Sequence, residues 1–115
     1  ARSVFLVDEP MVAALGAGLP IKEPRGSMLI DIGGGTTEVA IIALADIVFC
    51  QAVKVGGNRF DEAIAGYLKN TKRFIVTELV AEELKMALGT ATPKKDIRSM
   101  VVSGRDAESG LVKSM

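Results

Sequence analysis

Apolar residues follow two rhythms along this chain. From Met28 to Val55 they come in short runs rich in β-branched residues, broken by glycine or small polar residues. From Asn58 onward they recur every three or four positions. The first rhythm predicts strands and the second predicts helices with one buried stripe. Met28-Leu29-Ile30 leads into Asp31 and a glycine run. Thr37 to Leu44 is again rich in β-formers, and Ala45-Asp46 makes a tight turn into Ile47 to Val55. Three consecutive strands in a meander are the simplest arrangement.

Gly56-Gly57-Asn58 ends the strands, and Asn58 is placed to cap a helix with Phe60, Ile64, Tyr67 and Leu68 on one face. A second helix is expected over Glu78 to Leu88, with Thr77 as its N-cap and Gly89 as its stop. Its stripe is Val80, Leu84, Ala87 and Leu88. Ahead of the meander, Val4 to Val7 predicts a buried strand that breaks at Asp8-Glu9-Pro10. Pro10 suits the first position of a helix presenting Met11, Ala14 and Leu15 and stopping near Gly16 or Gly18. Leu19 to Gly26 holds two prolines and reads as a linker at a subdomain boundary. Thr90 to Lys95 is a polar loop. The tail, Ile97 to Met115, suits a strand around Met100 to Val102 and a turn at Gly104-Arg105-Asp106, on the edge of a small sheet.

Composition narrows the class. Of 115 residues, 49% are hydrophobic but only 4% aromatic, and the apolar positions hold mainly Val, Ile, Leu and Ala, which favours an α/β fold. Fourteen basic residues balance fourteen acidic ones, so no overall field attracts nucleic acid or anionic lipid. Cys50 is the single cysteine and, flanked by Val48 and Phe49, reads as a buried thiol in a reduced compartment. The longest apolar stretch, Val39 to Cys50, is broken by Asp46 and falls short of the roughly 20 residues of a membrane helix. With no leader pattern at Ala1, the chain is expected to be an internal stretch of a longer, cytosolic protein.

The chemistry concentrates in Asp31-Ile32-Gly33-Gly34-Gly35-Thr36-Thr37-Glu38. Glycines between two strands let several N–H groups approach an anion without side chains in the way. An aspartate at the end of the first strand can hold the waters of a Mg²⁺ ion bridging phosphates. The segment lacks the Lys-Ser/Thr of a P-loop and the helix that follows the glycines of a dinucleotide fold.

With this loop, the chain resembles the superfamily of actins, heat-shock chaperones and sugar kinases, and within it the bacterial actins of the MreB type. The resemblance is carried by Asp8-Glu9-Pro10-Met11, Gly16-Ala17-Gly18-Leu19-Pro20, Gly26-Ser27-Met28, Asp31 to Ala40, Val55-Gly56-Gly57 and Gly104-Arg105-Asp106, in order and at matching spacing. It implies an α/β fragment of an actin-like, ribonuclease H-like ATPase fold: a β-meander with a phosphate-binding hairpin, helices and a small α+β subdomain. Residues 1–19 would end a first lobe, 20–57 form the core meander of a second, and 58–115 mostly its outer subdomain.

The same resemblance implies ATP and Mg²⁺ as cofactors. Gly33, Gly34, Gly35 and Thr36 would hold phosphate and Asp31 the metal. Glu9 and Thr36 would position the attacking water, although Glu9 alone is also an ordinary acidic residue favoured by a helix dipole. Gly56 and Gly57 resemble the turn by which nucleotide nears the next helix, or are a plain strand-to-helix turn. Glu82, Glu83 and Lys85 resemble the helix reaching ribose and adenine, or leave Glu82 and Lys85 as an i, i+3 pair on a solvated face. Asp61 either supports the Mg²⁺ site or completes a cap with Asn58, the simpler reading.

The chain departs from MreB-like sequences at Leu79-Val80 and at Val112. It also contains neither an Asp-Leu-Gly-Thr first phosphate loop nor a late glycine-rich adenosine loop. By itself it is therefore not expected to catalyse hydrolysis. The implied partners are further copies in a filament and the cell-shape and wall-synthesis proteins, with membrane contact made outside these residues. A chaperone- or kinase-type relative, or a purely structural assembly module, remains the alternative.

Overall fold

The computed structural model describes residues 2–93, 96 and 98–115. Ala1, the end of the expected polar loop at Lys94 and Lys95, and the start of the expected tail at Ile97 lie outside them. The chain packs as two compact units, Ala1–Gly56 and Gly57–Met115.

In the first unit, helix α1 (Glu9–Gly16) starts one residue before Pro10. Asp8 is its N-cap through the backbone, with its carbonyl accepting from the N–H groups of Met11 and Val12 at 3.1 and 3.2 Å. Pro10 lies in the first turn, where a missing N–H costs nothing. The helix closes in a Schellman arrangement: Gly18, at φ 69°, donates to the Leu15 carbonyl, and Leu19 donates to that of Ala14. This turns Leu19 back onto a core of Ala14, Ile21 and Ile42, joined by Met11, Leu29 and Ile47. Full burial of Ile42 alone is worth about 2 kcal/mol. Leu15, expected on that face, is exposed because the helix turns Pro10 and Ala14 inward instead.

The meander forms as expected: β1 (Ser27–Ile32), β2 (Thr37–Ala43) and β3 (Asp46–Val53) pair antiparallel with β2 in the centre. Leu29, Asp31, Glu38, Ala40 and Ile42 share the face against which α1 packs β1 and β2. The other face carries Met28, Ile30, Ile32, Ile41, Phe49 and Val53, all exposed. The second turn falls one residue earlier than expected, on Leu44 and Ala45, both with positive φ as a type I′ hairpin needs. The Glu23 and Ile21 carbonyls accept their N–H groups at 3.0 and 2.7 Å, so 19–26 is a strap over this turn.

Two expectations fail in this unit. Val4 to Val7 is exposed and is not a strand, because no strand among the described residues lies beside it to take its backbone hydrogen bonds. Cys50 is exposed instead of buried: it lies on edge strand β3, outside the cover α1 gives to β1 and β2.

The second unit comprises α2 (Gly57–Lys72), β4 (Phe74–Ile75), α3 (Glu78–Leu88), β5 (Ser103–Asp106) and β6 (Val112–Ser114), with the strands antiparallel in the order β4-β5-β6. Phe74 is fully buried, and its ring reaches Gly104, where a Cβ would stand 2.7 Å from it. Thr77 caps α3 as expected, its hydroxyl accepting from the Val80 N–H at 3.4 Å. The expected α2 stripe is only half covered. Ile64 and Leu68 are half-buried, but Phe60 and Tyr67 are 56% and 58% exposed along an open groove with Leu84 and Leu88.

The covered centre of the helix pair is Ala81, fully buried, and Asp61, 7% exposed. Asp61 is thus no cap. Its Oδ2 accepts from Lys85 Nζ at 2.8 Å, and the same ammonium donates to the Gly57 carbonyl at 3.2 Å. This displaces the expected Glu82–Lys85 pair.

The tail strand also shifts. Gly104-Arg105-Asp106, expected as a turn, lies in β5, and the turn follows it because Asp106 organises one. Its Oδ1 accepts from the Ser109 and Glu108 N–H groups, both at 3.0 Å, and from the Ser109 hydroxyl at 3.1 Å. Those bonds to Ser109 and Glu108, with the Lys113 ammonium beside Oδ2, lower the Asp106 pKa from 3.8 to about 2.

Two predictions follow from this unit. A carboxylate whose pKa falls on folding stabilises the fold above its unfolded value, and that stability is lost as pH drops toward the folded one. Thermal melts should therefore show a loss between about pH 4 and pH 2 that is smaller in Asp106→Asn. Asp61→Ala leaves Lys85 without its counter-charge in a partly buried site and should destabilise the protein by about 2 kcal/mol in denaturant unfolding.

Candidate functional site

The β1–β2 hairpin gathers most of the residues singled out from sequence. Ile32 and Thr37 form the last cross-strand pair, and the Gly33 N–H donates to the Thr36 carbonyl at 2.9 Å, leaving Gly34 and Gly35 at the tip. Among the described residues the glycines with positive φ are Gly18 and Gly110, so the run does not serve a left-handed backbone. It permits close approach instead. A Cβ built on Gly56 would stand 2.5 Å from the Gly33 carbonyl oxygen and 2.6 Å from that of Gly34. Gly56 is buried, and the hairpin backbone sits directly on it.

That seat orients the loop. The peptide bonds are trans, so the C=O and N–H of each unit point in opposite directions. With the Gly33 and Gly34 carbonyls turned onto Gly56, the Gly34 and Gly35 N–H groups point away from it. Neither takes part in a hydrogen bond among the described residues. Two adjacent N–H groups without a partner among the described residues, on an exposed glycine tip, leave room for an anion to approach.

The remaining residues fall around this loop or in the other unit. Asp31, half-buried, pairs in register with Glu38 across β1 and β2. Two carboxylates on one face repel unless a cation lies near. Glu9 is exposed in the first turn of α1, the helix that packs on these two strands. The Thr36 hydroxyl has no hydrogen-bond partner among the described residues, whereas the Thr37 hydroxyl donates to the Val55 carbonyl at 2.7 Å. In the second unit, Gly57 opens α2, and its carbonyl accepts from Lys85. Glu82 lines a cleft with Asn58, Asp61, Glu62, Glu78 and Leu79, while Glu83 is exposed on α3.

No group of three or more histidine, cysteine or acidic side chains among the described residues is arranged so that it could hold a metal ion. Asp31 and Glu38 offer hard oxygen donors in facing register, which fits a Mg²⁺ ion that keeps most of its water shell and does not fit a fully protein-ligated metal. No helix among the described residues is long and apolar enough to cross a membrane. Sequence reasoning placed Thr37 and Glu38 in the loop segment but gave neither a role of its own. Glu38 shares the Asp31 face only through the pairing register, and Thr37 cannot be told from Thr36 until Val55 is placed beside it.

Comparisons with known proteins identify the family. The family model described as MreB/Mbl protein matches residues 1–115. The cell shape-determining protein MreB of Escherichia coli K12 is 49% identical over 111 residues, covering 96% of this chain and 32% of that protein. The cell shape-determining protein Mbl of Bacillus subtilis is 40% identical over 114 residues, covering 99% of this chain and 34% of its own length. The chain thus spans about a third of the length of the curated relatives it matches. Among solved structures, MreB5 of Spiroplasma citri bound to AMPPNP superposes with a TM-score of 0.93 at 42% identity, over 100% of this chain and 34% of that one. The fold is accordingly the expected α/β, actin-like one, and the chain belongs to the MreB/Mbl family.

Proposed function

We propose that this chain supplies one side of the ATP·Mg²⁺ site of a filament-forming, cell-shape-determining actin homologue. The observation that carries the reading is the hairpin seated on Gly56, with the Gly34 and Gly35 N–H groups turned outward and unpaired. Preorganised N–H groups of this kind stabilise phosphate charge without reorganising as the charge moves.

In this reading Gly33, Gly34, Gly35 and Thr36 bind phosphate oxygens, and the Thr36 hydroxyl is free to join them. Asp31 would hold water molecules of a Mg²⁺ shell, and the ion, when bound, would neutralise phosphate charge. Glu9 and Thr36 orient the attacking water, a task that phosphoryl transfer assigns to positioned acceptors more than to strong bases. Gly56 and Gly57 let nucleotide approach the start of α2, and Glu82, Glu83 and Lys85 reach toward ribose and adenine, with Lys85 held by Asp61.

The division proposed is a first-lobe end at 1–19, a second-lobe meander at 20–57 and an outer subdomain at 58–115. Catalysis needs the opposing phosphate loop, which these residues do not contain. Copies of the parent polymerise in the cytoplasm and act on cell-wall synthesis and rod shape, with membrane contact made by other elements. The comparisons support this reading through relatives named for cell-shape determination and through a relative bound to a nucleotide analogue.

Calorimetry on the protein that carries this chain tests the site. Asp31→Ala should lower ATP·Mg²⁺ affinity at least tenfold and remove most of its Mg²⁺ dependence. Unchanged binding with unchanged Mg²⁺ dependence would make the hairpin scaffolding. Gly56→Ala forces the hairpin off its seat and should cost about 2 kcal/mol of stability in denaturant titrations, together with a clear loss of nucleotide affinity.

A further inference from the structure

The hairpin's aim depends on the position of Gly56, and the β-ladder does not fix that position. The register between β2 and β3 ends at the pair Thr37 and Val53, and β3 itself ends at Val53. Lys54, Val55 and Gly56 continue past the last strand pair. One further bond joins this exit to the hairpin: the Thr37 hydroxyl donates to the Val55 carbonyl at 2.7 Å, across 18 residues of sequence. Thr37 is at once the first residue of β2, directly after the glycine loop, and the residue adjoining Thr36.

We propose that Thr37 is a positioning residue for the phosphate-binding hairpin, its hydroxyl tying the strand exit so that Gly56 stays under the Gly33 and Gly34 carbonyls. The two neighbouring threonines then divide the work. Thr36 presents a hydroxyl with no hydrogen-bond partner among the described residues, while the Thr37 hydroxyl is bonded to the backbone behind it. Loss of the tie frees Val55 and Gly56, lets the two peptide planes rotate and scatters the N–H groups that face the anion. This inference rests on the anion-binding reading of the hairpin and adds the residue that sets its geometry.

The experiment compares wild type, Thr37→Val and Thr37→Ser in the protein that carries this chain. Valine keeps the branched shape and strand preference but removes the donor; serine keeps the donor. ATP·Mg²⁺ affinity is measured by calorimetry, and backbone amide exchange is measured at Gly33, whose N–H is bonded to the Thr36 carbonyl, without nucleotide, and at Gly34 and Gly35 with and without it. The expected result is about a fivefold or greater loss of affinity and faster exchange at Gly33 in Thr37→Val. Thr37→Ser, which keeps the donor, should stay within about twofold of wild type, and the valine loss is of the order that a single hydrogen bond carries.

Equal affinity of Thr37→Val and wild type, or a serine variant as weak as valine, overturns the proposal. Wild-type protein that binds ATP·Mg²⁺ without protecting the Gly34 and Gly35 amides overturns the anion-loop reading itself, which keeps the two failures apart.

Discussion

The contact between Gly56 and the backbone of Gly33 and Gly34 is the constraint on which the rest of the first unit's functional geometry depends. Hard-core repulsion fixes it: at 2.5 Å there is room for a hydrogen and none for a methyl group. Because a trans peptide unit is a rigid plate, pressing two carbonyls onto one side commits two N–H groups to the other. The strands deliver the loop to this place, with β2 paired on both edges, and α1 holds the sheet from one face through Ala14 and Ile42. A loop built in this way presents positive potential without a positively charged side chain of its own. Its charge comes from backbone dipoles held in one orientation.

A different logic governs the second unit, where a polar contact occupies the middle of a helix pair. Asp61 and Ala81 take the places that a hydrophobic stripe would give to larger residues, and Lys85 spans from the carboxylate to the Gly57 carbonyl. One oxygen of Asp61 is buried without a hydrogen-bond partner among the described residues. An ion pair of this sort contributes little net stability compared with apolar packing, yet it fixes the register of two helices sharply, because either charge alone is costly. The turn at Gly57 and the helix bearing Glu82 and Glu83 are tied to one another through it.

The parts legible from sequence were those in which local rules and tertiary packing agree. The meander was readable because β-branched runs alternate with glycine and polar breaks, and α3 because Thr77 caps it and Gly89 follows it. The hairpin was readable because three glycines fall between two β-branched runs. What stayed hidden depends on distant partners. The turn at Leu44 and Ala45 lacks the usual asparagine or glycine and exists because the carbonyls of Ile21 and Glu23 receive its N–H groups. Val4 to Val7 has the composition of a strand without a neighbour to make it one. Asp61 looked like a cap because its lysine lies 24 positions away, and Thr37 looked like Thr36 because only the location of Val55 separates them.

The open face of the meander, with Met28, Ile30, Ile32, Ile41, Phe49 and Val53 already in contact with water, has a calorimetric meaning. The heat capacity gained on unfolding measures apolar surface newly hydrated, and residues wetted before unfolding add little to it. The first unit should therefore melt with a heat-capacity increment below that of a typical domain of its length. Its stability curve should be correspondingly flat, with its enthalpy of unfolding changing slowly with temperature.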